Sequence, residues 1–172
     1  MAETGERQDS RSLIGIYLND HLAGATAGAG LAHRMAASGH LPVAGSLVQQ
    51  LAVEIAQDRA ALLEFMVALD VPVRGYKVWA AWVGEKAGRL KPNGHLVSRS
   101  MLSNLEELEM LRLGVEGKAA GWRTLRTLAS QDSRLDVGRL DKLIASAQRQ
   151  GELIEELRMN AAEQVIGTSR NS

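Results

Sequence analysis

Three side chains able to bind a metal or move a proton stand where apolar residues belong. Glu54 and Asp58 lie one helical turn apart in "LAVEIAQDRAALLEF", inside a stripe formed by Leu47, Val48, Leu51, Ile55, Leu62, Phe65, Met66 and Leu69. His21 falls near the middle of another apolar face, made by Ile14, Tyr17, Leu18, Leu22, Ala25, Ala29, Ala32 and Met35. A carboxylate within such a stripe needs a cation, a hydrogen-bond donor or a bound proton, because burying it alone is costly. Two chemistries meet that need. A divalent cation can gather His21, Glu54, Asp58 and Glu109 as ligands. Alternatively, Arg112 and Arg158 can neutralise the two carboxylates, with His21 as an added donor.

The elements that must position these residues are helices. Residues 1–11 and 167–172 read as disordered tails around one helical domain over 12–166. Helix 1 is expected from Ser12, an N-cap type, to Ser38, where "SGHLP" stops it. Helix 2 follows from Val43 to Leu69 and ends at "DVPVRG". A shorter helical piece is expected over 76–90, helix 3 from His95 to Ser130, and helix 4 from Leu135 to Ile166. Helix 4 carries Gln150 and Arg158 within the stripe of Leu140, Leu143, Ile144, Ala147, Ile154, Leu157, Ala161 and Val165. Helix 3 presents Val97, Met101, Leu105, Leu108, Val115, Ala119 and Trp122, with Asn104 inside this face and Arg112 on its flank.

The connections set the topology. Helices 1 and 2 are joined by about four residues and helices 3 and 4 by about five, so each pair is expected to form an antiparallel hairpin. About 25 residues separate helices 2 and 3, enough to travel back along a bundle of ~40 Å helices. Folding helix 1 onto helix 2 about residue 41 puts Ala23 level with Asp58. Folding helix 4 onto helix 3 about residue 132 puts Arg158 level with residue 105 or 106. With the crossover returning to the start of helix 2, Glu54 lies level with residue 106, and Arg112 falls slightly below Asp58. His21, Glu54, Asp58, Arg112 and Arg158 thus converge on one polar layer at mid-bundle.

Composition narrows the function classes. The chain has 172 residues, 45% of them hydrophobic and 3% aromatic, with three prolines, a balance that favours packed helices over an all-β fold. Twenty basic residues offset twenty acidic ones, so no net field draws the chain to nucleic acid. Lys86, Arg89 and Lys91 in "GEKAGRLKPNG" form one basic cluster without interleaved aromatics, a weak nucleic-acid signature. The absence of cysteine excludes disulfides, thiolate catalysis and cysteine-ligated zinc. The opening "MAETGERQDSRS" has no apolar core of the signal-peptide kind, and "LAGATAGAGLA" is far short of the ~20 residues that span a bilayer. A cytoplasmic protein without membrane contact is expected.

The two hairpins, the long crossover with its short helix, and the "LND" of helix 1 (Leu18, Asn19, Asp20) resemble the ferritin-like superfamily over residues 12–166. That resemblance implies an all-α four-helix bundle with a di-metal layer of Glu and Glu-x-x-His ligands. The ligands do not carry over. Gly24 and Ala25 stand where helix 1 of the family supplies a Glu, "EIAQ" from Glu54 to Gln57 replaces Glu-x-x-His, and helix 4 has no histidine. A guanidinium cannot ligate and keeps its charge, so two arginines in the layer oppose a dication. The leading expectation is a bundle without catalysis or cofactor, a structural or protein-interaction module held by a charge-paired layer. The alternative is a metal-binding oxidoreductase or iron-handling protein using His21, Glu54, Asp58 and Glu109. A third is a small-ligand binder using the space above Gly24 and Gly28.

Interior glycines cost a helix roughly 1 kcal/mol each relative to alanine. Gly24 and Gly28 are read as making room for the close-packed polar layer. His33, His40 and His95 are expected at the surface, Trp122 as a packing anchor, and Trp79 and Trp82 as a clamp of the crossover onto the bundle. A second apolar edge on helix 3, through Leu102, Met110 and Leu113, predicts a homodimer, and the interaction-module expectation adds a protein partner not identified by the sequence.

Overall fold

The structure, a computed structural model, describes residues 2–38, 45–74 and 101–169. These form four α-helices and, among the described residues, no strand: α1 Ala2–Ser38, α2 Gly45–Ala68, α3 Met101–Leu128 and α4 Val137–Ser169. The short helix expected over 76–90, with Trp79, Trp82, Lys86, Arg89 and Lys91, lies outside the described residues, as do His40 and His95. α1 starts at Ala2 rather than at Ser12. "AETGERQDSR" has no proline and several good helix formers, and extending an existing helix is far easier than nucleating one. α4 likewise runs past Ile166 to Ser169.

The ends of the helices follow local chemistry. α2 stops because Asp70 adopts the left-handed conformation, with φ 57°. Its N–H donates to Val67 O (3.1 Å) while Val71 N–H reaches back to Met66 O (2.8 Å), the double bond of a Schellman motif. Pro72 then prevents resumption. The emerging chain lies along α1: Asn19 Nδ2 donates to Gly15 O (2.8 Å) and Pro72 O (3.1 Å), and Arg74 N–H donates to Asn19 Oδ1 (2.7 Å). At the other turn, Asp136 caps α4 by accepting from Arg139 N–H (3.0 Å).

The core lies between the facing stripes. Leu18, Leu51, Met66, Leu108, Leu111, Leu125, Leu140 and Ile154 are its largest fully buried apolar side chains. α1 packs on α2, α3 on α4, and α1 on α3. Thr26 of α1 meets Arg59 of α2, whose Nε donates to Thr26 Oγ1 (2.9 Å). Arg126 and Asp141 pair across α3 and α4 (2.8 Å), and Tyr17 Oη donates to Thr124 Oγ1 across α1 and α3 (3.0 Å). Trp122 is a core anchor, 2% exposed, with its ring 6.0 Å from that of Phe65. No helix of the described residues is long and apolar enough to cross a membrane.

Candidate functional site

Asp58 is turned into the core by the α2 stripe and is 5% exposed. The cation that meets it is Lys118 of α3, whose Nζ donates to Asp58 Oδ2 (2.5 Å) and to Gln150 Oε1 of α4 (2.5 Å). Gln150, 2% exposed, completes the layer. Its Nε2, with two N–H donors, lies within hydrogen-bond distance of Asp58 Oδ2 (3.1 Å), Glu54 Oε2 (3.2 Å) and Ser146 Oγ (3.3 Å). Gln50, one turn before Glu54, donates to Glu54 Oε1 (2.8 Å). One lysine and one amide from opposite helices thus hold the two carboxylates. Burial pushes the Lys118 ammonium below its ordinary pKa, and the neighbouring Asp58 and Glu54 act against that shift.

The expected pairing of Arg112 and Arg158 with Glu54 and Asp58 is corrected. Arg112 Nη1 bonds Glu116 (2.5 Å) and its Nε lies 3.9 Å from Glu155. Arg158 grips Glu155 through Nε (2.9 Å) and Nη2 (2.7 Å) and lies 3.8 Å from Glu109. Both arginines therefore tie α3 to α4 on the outer side. The Arg158 hydrogen bond holds the Glu155 carboxyl below the usual carboxylate range. The reason is axial placement: α3 sits about two turns from the expected level, so Lys118 instead of Arg112 reaches Asp58. Arg112 Nη1 lies over Gly151, 2.5 Å from where a Cβ would stand.

His21 does not join the carboxylates. Its ring packs on Tyr17, with centroids 4.4 Å apart, and lies against Gly121, where a Cβ would come within 2.9 Å of Nδ1. Burial lowers its pKa, with Asp20 opposing the shift. Glu109 faces Arg158. His21, Glu54, Asp58 and Glu109 therefore do not assemble as one ligand set, and no group of three His, Asp or Glu side chains among the described residues is placed to share a metal ion. His33 is exposed, as expected.

Gly24 and Gly28 do not make room for the polar layer, as the leading reading expected; the space above them, on which the small-ligand reading rested, is present. Around Gly24 and Gly28, among the described residues, no atom beyond the local helix backbone lies within 4 Å of where a Cβ would be, and the same holds for Gly114 and Gly117 of α3. Instead of admitting a close neighbour, they line a cleft of about 430 Å³ between α1 and α3. Its walls are mainly apolar, including Leu18, Ile55 and Trp122, and Asp58 and Lys118 also line it. Trp122 Nε1 is buried without a hydrogen-bond partner among the described residues.

Sequence reasoning overlooked Lys118 and the second set of glycines, though both left a signal. Lys118 stands three residues after Val115 and four before Trp122, inside the apolar stripe, as Asp58 does on α2. Gly114, Gly117 and Gly121 recur at helical spacing in "GVEGKAAGW". Against protein-family models, curated proteins and solved structures, the chain gives no match.

Proposed function

We propose that this chain is a ferritin-like bundle without di-metal chemistry, a non-catalytic structural or protein-interaction module of the cytoplasm. The observation that carries this reading is the Lys118–Asp58 pair bridged by Gln150 to Glu54. An ammonium bonded to Asp58 and to the amide that reaches Glu54 puts a positive charge where such a layer carries a metal ion, and it repels a dication. The ferritin-like arrangement draws support from the order of contacts. Gly15 approaches Val71 and Thr26 meets Arg59, while Glu109 meets Arg158 and Arg126 meets Asp141. Tyr17 meets Thr124 and His21 lies on Gly121. Such pairs fit two antiparallel hairpins whose second and third helices run the same way, an arrangement that needs one long crossover.

The same reading makes the molecule a homodimer through Leu102, Met110 and Leu113, which are 50%, 59% and 68% exposed on α3. The deciding experiment is anaerobic titration of untagged protein with Fe(II) and Mn(II), followed by elemental analysis after gel filtration. The expected result is no retained metal, and near-stoichiometric iron or manganese overturns the reading in favour of an iron-handling or oxidoreductase site. Light scattering tests the dimer, and a monomer at high micromolar concentration refutes it.

A further inference from the structure

We propose that the cleft between α1 and α3 is a binding site for a small, uncharged, largely apolar molecule bearing a carbonyl or hydroxyl oxygen. This goes beyond the metal-free reading and does not depend on it. The cleft, about 430 Å³, falls in the size range of small-molecule sites, about 300–1,000 Å³. Among the described residues, no atom beyond the local helix backbone lies within 4 Å of a Cβ position at Gly24, Gly28, Gly114 or Gly117, so no close neighbour there calls for a glycine. Each still carries the helix penalty of glycine. What the four residues provide is space.

The polar floor selects the occupant. Lys118 has three N–H donors, and Asp58 and Gln150 take two of them. Its side chain remains 12% exposed and lines the cleft, so the third N–H is available to an acceptor oxygen there. Charge argues for a neutral guest. Asp20 and Asp58 both line the cleft and Glu54 stands behind Gln150, so carboxylates outnumber the one ammonium and disfavour an anion. A cation would face Lys118. The remaining walls, formed by side chains such as Leu18, Leu62 and Leu111, favour a hydrocarbon body.

The full-length protein is titrated with prodan, a neutral naphthalene carrying a ketone, and followed by prodan emission. Naphthalene, read by its own fluorescence, lacks the oxygen, and anilinonaphthalene sulfonate carries a negative charge. Saturable one-site binding of prodan is expected, tighter than that of either comparator. Gly28→Leu puts a side chain into the cleft, where no described neighbour lies within 4 Å of the new Cβ, and should weaken prodan by roughly tenfold or more. Circular dichroism checks that this variant is folded. Lys118→Met alone strands Asp58, so the floor is tested with Lys118→Met/Asp58→Leu. That pair should weaken prodan by roughly five- to tenfold and leave naphthalene unchanged. Absence of saturable binding, indifference to Gly28→Leu, equal loss of prodan and naphthalene in the double variant, or preference for the sulfonate would each overturn the proposal.

Discussion

Replacing Lys118 by methionine keeps most of the side-chain stem and removes the ammonium. Asp58 then stays in the core with its side chain 7% exposed and its closest cation gone. Removing one partner of a buried ion pair costs about 3–5 kcal/mol. Gln150 Nε2 still donates to Asp58, so the loss should fall near the lower end, about 3 kcal/mol. With a urea dependence of about 2 kcal/mol per molar, the unfolding midpoint at pH 7 should drop by about 1.5 M. Lys118→Met/Asp58→Leu removes both charges and should recover most of that loss, because an apolar pair of similar volume often matches a buried salt bridge. Gln150 keeps Glu54 and Ser146 as acceptors in that variant. The measurement is a complete double-mutant cycle by urea denaturation. Strictly additive losses would falsify the claim that the two residues are coupled, and a midpoint unchanged in Lys118→Met would show that the ammonium is not needed in the layer.

Arg158→Leu should shift the urea midpoint far less than Lys118→Met, since Arg158 pairs with exposed Glu155 and Glu109 and leaves no carboxylate stranded in the core. Gly28→Ala should stabilise the fold by about 0.4–1 kcal/mol in the same assay, because its Cβ enters open space and restricts the unfolded chain. Gly121→Ala should destabilise it, because the new Cβ meets the His21 ring at 2.9 Å; a gain in stability there would contradict the close α1–α3 approach. His21 has a lowered folded-state pKa, so its contribution is fully present above the unfolded value of 6.5 and is lost as pH falls through the folded one. Urea midpoints at pH 8 and pH 5 should therefore differ less in His21→Gln than in the parent, and equal differences would count against a buried neutral imidazole.

The four helices were largely legible because their apolar residues recur at helical spacing. Folding about residue 41 put Ala23 level with Asp58, and the structure joins Thr26 to Arg59, less than one turn away. Folding about residue 132 matched Arg158 with residue 105 or 106, and the structure puts Glu109 beside it, again about one turn off. The level of one helix pair against the other was not legible. A connection of about 25 residues fixes no axial offset, and the resulting error of about two turns exchanged Lys118 for Arg112 as the partner of Asp58. Glu54, Asp58 and Gln150 were recognisable because polar residues interrupted regular apolar stripes. For Gly24 and Gly28 both roles were on offer, but not the choice between them, since a glycine that admits a neighbour and one that leaves a void look the same in sequence. Only the position of α3 separates the two cases.

The lysine in the polar layer also decides how the bundle is completed. The counter-charge for Asp58 is a covalent part of the chain, carried by Lys118 Nζ. It arrives with synthesis, one equivalent per molecule, and cannot exchange with the surroundings. A core closed by a bound ion forms to an extent set by that ion's free concentration, and a competing chelator can reverse it. Closing this layer is instead a first-order event within a single chain. The counter-charge of Asp58 therefore has no loading step.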